Sequence, residues 1–243
     1  MNGQYTLELF ENGEAFIKAV ADFIIAIANN AVAKNEKFTI ALSGGNTPNK
    51  LYSLLATDAY SKQMPWKNTF VFWGDERCVA LSDEQNNAHV AISLLLDKVG
   101  IPPLNIFPIP VNLSPEEAAT QYEQTIKSFF GNETPAFDLI LLGLGENAHT
   151  ASLFPGTDVL NERKHWVKEV YVDEQKMFRV TMTVPLINLA NNIAFLLTGK
   201  SKAEVLKTVL TAPYQPEKYP AQLIKPINGK LFWLADKDAS ALI

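Results

Sequence analysis

Strand-length apolar runs alternate with amphipathic segments along this chain, and four of the runs stop abruptly in clusters of small or polar residues. Phe38 to Leu42 ends at Ser43-Gly44-Gly45-Asn46-Thr47-Pro48, and Phe70 to Trp73 ends at Gly74-Asp75-Glu76-Arg77. Leu139 to Leu142 runs into Gly143-Leu144-Gly145-Glu146-Asn147-Ala148-His149, and Ile193 to Leu197 into Thr198-Gly199-Lys200-Ser201-Lys202. Between them Phe16, Val20, Phe23, Ile24 and Ile27 recur at helical spacing, which predicts a helix over about 12–30. Thr47-Pro48 reads as an N-cap followed by Pro at the first helical position, opening a helix to Leu55. Asn87 to Leu96 and Ser201 to Leu210 read as further helices. Ser114-Pro115-Glu116-Glu117 has capping-box spacing for a helix that ends near Phe130. Arg179 to Val184 and Leu231 to Leu234 complete the expected strands. Strands that alternate with helices predict an α/β fold, a mainly parallel sheet covered by helices on both faces. With no internal repeat and no clear linker, residues 1–243 are expected to form one domain.

In such a sheet the carboxyl ends of the strands lie along one edge, where ligands bind, so the four clusters are expected to converge there. Ser43, Gly44, Gly45 and Thr47 precede a helix, where free backbone N–H groups and the helix dipole suit an anion; a plain strand-to-helix turn would look the same. The spacing is not that of a Walker loop. Asp75, Glu76 and Arg77 place opposite charges side by side, either as a surface ion cluster or with Arg77 as a clamp for phosphate or carboxylate. Arg179, Lys200 and Lys202 are further cations at or near strand ends. Gly143 to Ala148 matches the GxGxxA form of a dinucleotide fingerprint, but Pro155-Gly156 cuts short any helix after it. His149 titrates near neutrality when unperturbed and is a candidate general base at the edge of this cleft.

The formal charge of −5 argues against a nucleic-acid-binding surface while leaving room for a local basic pocket. A single cysteine, Cys78, excludes an internal disulfide framework and fits a reducing cytosol. It is expected to be inert packing. The start of the chain lacks a basic region and a long apolar stretch, and the longest apolar runs are strand-length, so neither a signal peptide nor a membrane span is expected. A cytoplasmic location follows. His149 belongs to no HxxxH or CxxC pattern and Ser152 to no GxSxG elbow, so neither a metal site nor a serine triad is expected. The residues alone thus describe a cleft for a small phosphorylated ligand with one histidine for proton transfer.

Taken in order and spacing, SGGNTP, GDERCV, GLGENAHTASLFPG, RVTMTVP and TGKSKAEVL resemble the 6-phosphogluconolactonases, over nearly the whole chain. The HTASLFPG string is the most specific of them. The resemblance implies a Rossmann-like fold shared with glucosamine-6-phosphate deaminases. It also implies hydrolysis of 6-phospho-D-glucono-1,5-lactone, in the oxidative pentose phosphate pathway, without a metal or organic cofactor. No protein partner is implied. The expected catalytic residues are His149 as base, Asp75 orienting it or a substrate hydroxyl, and Arg77, which would stabilise the oxyanion if it does not hold phosphate. Ser43 to Thr47 with Arg77, Arg179 or Lys202 would hold the phosphate. Two departures stand out. The family motif usually reads GxGxDGHTASLFPG, and here Asn147-Ala148 replace Asp-Gly; the serine-asparagine after the DER segment is Asn86-Asn87. An amide at position 147 cannot act as a base, which disfavours an isomerising deaminase. A non-catalytic sugar-phosphate sensor is the remaining alternative.

Overall fold

The computed structural model describes residues 5–243. In chain order its elements are β1 (Tyr5–Phe10), α1 (Gly13–Asn35), β2 (Phe38–Leu42), α2 (Asn46–Leu55), α3 (Asp58–Ser61), β3 (Thr69–Trp73), β4 (Asp75–Arg77) and α4 (Asn87–Leu94). They continue with α5 (Pro115–Phe130), β5 (Leu139–Leu142), β6 (Val167–Val172), β7 (Met177–Met182), α6 (Val184–Ile187), β8 (Asn192–Leu197), α7 (Ala203–Thr211) and β9 (Lys230–Asp236). Six strands form a parallel sheet in the order β1-β9-β8-β5-β2-β3. Every residue of β2 and β5 is buried. Successive strand residues face opposite sides, so both faces of the sheet centre are covered, as the uninterrupted apolar runs require.

Around this frame three expectations change. The strand expected at Arg179 to Val184 is β7, and it joins β4 and β6 in a separate antiparallel sheet; Val184 already opens α6. The GDER segment is itself a strand, not only the end of one. Gly74 carries the chain between the sheets: its N–H donates to Leu42 O at 2.9 Å and its carbonyl accepts from Met182 N at 2.8 Å. Thr47 is not the cap of α2. Gly45 is, at φ 114, with no side-chain cap bond and no acidic residue in the first turn.

Helix α1 starts where Asn12 caps it by accepting from Glu14 N and Ala15 N, and it runs past the expected end to Asn35, where Glu36 turns left-handed (φ 59) and donates its N–H to Val32 O. It is long and apolar enough to cross a membrane by length and composition, although its longest uninterrupted apolar run is only Phe23 to Ala28. Its apolar face, from Phe16 through Ile24 to Ala31, is buried in the core. The capping box of α5 forms as expected from Ser114 and Glu117.

The strand order also positions a crevice. After β2 the chain builds β3 on one side and later β5 on the other. Loops leaving β2 and β5 therefore diverge, and the edge between them is where an open α/β sheet accepts a ligand.

Candidate active site

The loops after β2, β5 and β8, together with β4 and β7, line one cavity of about 1180 Å³. This is larger than a single phosphosugar needs. Ser43, Gly44, Gly45, Thr47, Asp75, Arg77, His149, Arg179 and Lys202 all line it; Lys200 does not. The structure therefore brings together residues separated by up to 159 positions of sequence.

The loop after β2 is pinned from its own helix. The Tyr52 hydroxyl donates to Ser43 O at 2.6 Å and accepts from Ser43 N at 3.2 Å. Gly44 lies so close to Asn87 that a Cβ there would sit 1.8 Å from Asn87 Oδ1. Asn87 in turn accepts from Arg77 Nη1 at 2.8 Å and donates to Asp75 O at 3.1 Å. Its neighbour Asn86 caps α4 by accepting from His89 N at 2.8 Å, a task a serine performs equally well. That removes the significance of one of the two departures. The α2 N-terminus, left without a side-chain cap, presents backbone N–H groups with no acidic competitor. Thr47 Oγ1 is 2.6 Å from Thr198 Oγ1, so this hydroxyl ties the first loop to the last.

Two cations and a carboxylate form the wall built by the antiparallel sheet. Arg77 Nη1 also donates to Gln85 O at 2.6 Å, while its Nε is buried without a partner among the described residues. Asp75 Oδ2 accepts from Ser152 Oγ at 2.6 Å and from Arg179 Nη1 at 3.4 Å. Both ion-pair partners are nearly buried. Gln175 Oε1 accepts from Arg179 Nε at 3.0 Å and from its Nη2. Asp75 therefore holds Ser152 and Arg179, and no hydrogen bond joins it to His149 among the described residues. Glu76 faces away from the chemistry. Its buried carboxylate accepts from the backbone N–H groups of Arg77, Asn87 and Ala88. Cys78 is half-buried, and burial pushes its thiol up to about 11, against a reactive thiolate.

His149 sits in a tight turn. Gly145 N donates to His149 O at 2.8 Å, and Ala148 N to Gly145 O at 2.9 Å. A Cβ on Gly145 would lie 2.1 Å from the imidazole, so the ring packs on bare backbone there. It also stacks on Phe154, with centroids 4.0 Å apart. The orienting hydrogen bond comes from the unexpected residue: Nδ1 is 2.5 Å from Asn147 Oδ1. Burial pushes the imidazole down to about 4; the Asp75 charge opposes this, and Arg179, Lys202 and Arg77 reinforce it. Thr150 and Ser152 are buried and bound to Gly143 O and Asp75, so they shape the turn. Ala148 adopts φ 64, a backbone that favours glycine.

Over residues 11–233 the chain matches the family described as glucosamine-6-phosphate isomerases/6-phosphogluconolactonase. The chain belongs to this family. It is 40% identical to the 6-phosphogluconolactonase of Synechocystis sp. over 237 residues, 96% of each chain. The solved 6-phosphogluconolactonase of Trypanosoma brucei superposes with a TM-score of 0.87 at 26% identity, covering 99% of both chains. A monomeric glucosamine-6-phosphate deaminase gives a TM-score of 0.83 at 22% identity, over 98% of this chain and all of the other, a likeness of fold alone. Within the isomerase/lactonase family, the site's missed residues are Asn87, Gln175 and Asp236. Asp236 Oδ1 accepts from Gly199 N at 3.0 Å and so holds the loop that carries Lys202. Asn87 opens α4, Gln175 lies between β6 and β7, and Asp236 ends β9, so no shared local pattern marks them. Among the described residues no three His, Cys, Asp or Glu side chains cluster as metal ligands.

Proposed function

We propose that the chain hydrolyses 6-phospho-D-glucono-1,5-lactone to 6-phosphogluconate, with His149 as general base. The observation that supports it is a half-buried imidazole, its pKa pushed down by burial, on the wall of a cavity that also holds Arg77, Arg179, Lys202 and an uncapped helix N-terminus. The substrate phosphate rests on the Ser43 to Thr47 loop, where backbone N–H groups and the helix dipole attract it. The cations neutralise it. Phosphate binding then presents the lactone carbonyl to His149.

In the reaction a water oxygen bonds to C1 while His149 Nε2 takes the water proton. The electron pair of the carbonyl moves onto its oxygen, where Arg77 or backbone N–H groups stabilise the charge. As that pair returns, the bond from C1 to the ring oxygen breaks, and His149 returns its proton to the leaving oxygen. A strained, activated ester needs little more than one placed base and orientation. A cytosolic setting in the pentose phosphate pathway belongs to the same proposal.

The test is a coupled assay. Glucose-6-phosphate dehydrogenase generates the lactone, and 6-phosphogluconate dehydrogenase reports its opening. Acceleration over the spontaneous rate is expected, with His149→Ala lowering kcat by about a hundredfold or more. No acceleration by the unaltered chain would overturn the proposal, and full activity in His149→Ala would overturn the mechanism. Ammonia release from glucosamine 6-phosphate would instead support the deaminase reading, which the amide at Asn147 disfavours.

A further inference from the structure

Asn147 lies two residues before His149, and its amide is 2.5 Å from the Nδ1 atom of that histidine. Which atom of the amide faces the ring is fixed by a second contact. The backbone N–H of His149 reaches the same Asn147 oxygen at 3.2 Å. A backbone N–H can only donate, so the amide presents oxygen, not NH2, at this point. An oxygen so placed requires a hydrogen on Nδ1. The proton of neutral His149 therefore sits on Nδ1, and Nε2 carries the lone pair.

We propose that Asn147 is a positioning residue: it locks His149 in the Nδ1–H tautomer without placing a charge beside it, so that the base stays available in acid. This deepens the lactonase reading and rests on it for its kinetic part alone. An aspartate would make the same hydrogen bond, yet it would also stabilise the imidazolium electrostatically. The asparagine keeps the orientation and omits the charge.

The rest of the surroundings argue the same way. Arg77 and Asp75 on β4, Arg179 on β7 and Lys202 ahead of α7 are the charged groups acting on the ring from neighbouring elements, and Glu146 lines the same cavity from its own turn. Asp75 is the one carboxylate that raises the imidazole pKa, and its nearest cation is Arg179, 3.4 Å away. Burial is the leading cause that holds the imidazole pKa down, with Asp75 opposing it and Arg179, Lys202 and Arg77 adding to it, and a neutral Asn147 leaves that balance undisturbed. The cost is a weaker base, which an activated lactone tolerates.

The reactive form is neutral His149, so kcat/KM falls only as pH drops through the imidazole pKa. Raising that pKa moves the acidic fall to higher pH. In Asn147→Asp the acidic limb of kcat/KM is expected to move up by about one unit or more. In Asn147→Leu, which removes the acceptor, kcat is expected to fall by about tenfold or more with KM nearly unchanged. Ionisation of the substrate phosphate is common to all three proteins and cancels from the comparison. Nitrogen-15 shifts of the imidazole give a readout independent of turnover: Nδ1–H in the unaltered chain and in Asn147→Asp, a tautomer mixture in Asn147→Leu, and a higher His149 pKa in Asn147→Asp. An unaltered chain with no lactonase activity but these spectra would sink the function and leave the lock standing. Identical imidazole shifts and pKa values in all three proteins would overturn the lock.

Discussion

At the scale of single residues, Gly145 and Ala148 make opposite demands although they share one turn. Gly145 needs its missing side chain because the imidazole occupies that space at 2.1 Å. In Gly145→Ala the ring must move, and we expect kcat to fall by about a hundredfold with the circular dichroism spectrum unchanged. Wild-type kcat in that variant would mean that the ring position is irrelevant. Ala148 needs only its backbone angle. Changing it to glycine relieves a left-handed strain of about 1–2 kcal/mol. The gain is offset by about 0.8 kcal/mol for one buried methyl group. Glycine also adds about 0.5–1 kcal/mol of chain entropy to the unfolded state. The sum is near zero. Ala148→Gly is expected to shift Tm by less than about 4 °C in either direction, which calorimetry can check. That near-balance explains how alanine is tolerated at a left-handed position.

Among elements, the β2–α2 connection is held by a single hydroxyl used twice. Tyr52 both donates to and accepts from Ser43, from the first turns of the helix that the loop introduces. Tyr52→Phe leaves a backbone donor and acceptor unpaired in a partly buried place, at about 1–3 kcal/mol. We expect a lower Tm and, if the Ser43 to Thr47 loop receives the phosphate as proposed, a raised KM, because that loop loosens. A lower Tm with unchanged KM would separate the loop from binding. Arg77→Ala should act differently: its guanidinium touches Gln85 and Asn87 and lines the cavity, so KM should rise while kcat holds if it grips phosphate. Reduced kcat at constant KM would move Arg77 to the carbonyl oxygen instead.

For the whole molecule, legibility followed burial. Strands β2 and β5 are buried on both faces, so their sequences are uninterrupted apolar runs that could be read directly. Strands β1 and β6 are part-exposed and carry Glu8, Lys168 and Glu169 within them, which hid them. The antiparallel sheet was equally hidden, since β4 is short and its pairing with β7 depends on partners about a hundred residues away. Ser43, Arg77, His149 and Lys202 were legible because they follow strand ends. Asn87, Gln175 and Asp236 act through contacts that no local pattern encodes. The net charge of −5 opposes an anionic ligand, so binding must rely on the short-range cations of the cleft. Raising salt from about 0.05 to 0.5 M should therefore raise KM by screening those contacts, with kcat little changed; a salt-independent KM would remove them from binding. One pairing described above also bears on how the molecule is born. β1, the first described strand to leave the ribosome, hydrogen-bonds only to β9, the last, and Asp236 at the end of β9 secures the Lys202 loop. A nascent chain that already holds His149 and both arginines is thus still an unfinished catalyst, and its opening strand must wait unpaired, exposed to wrong partners, until the closing one arrives.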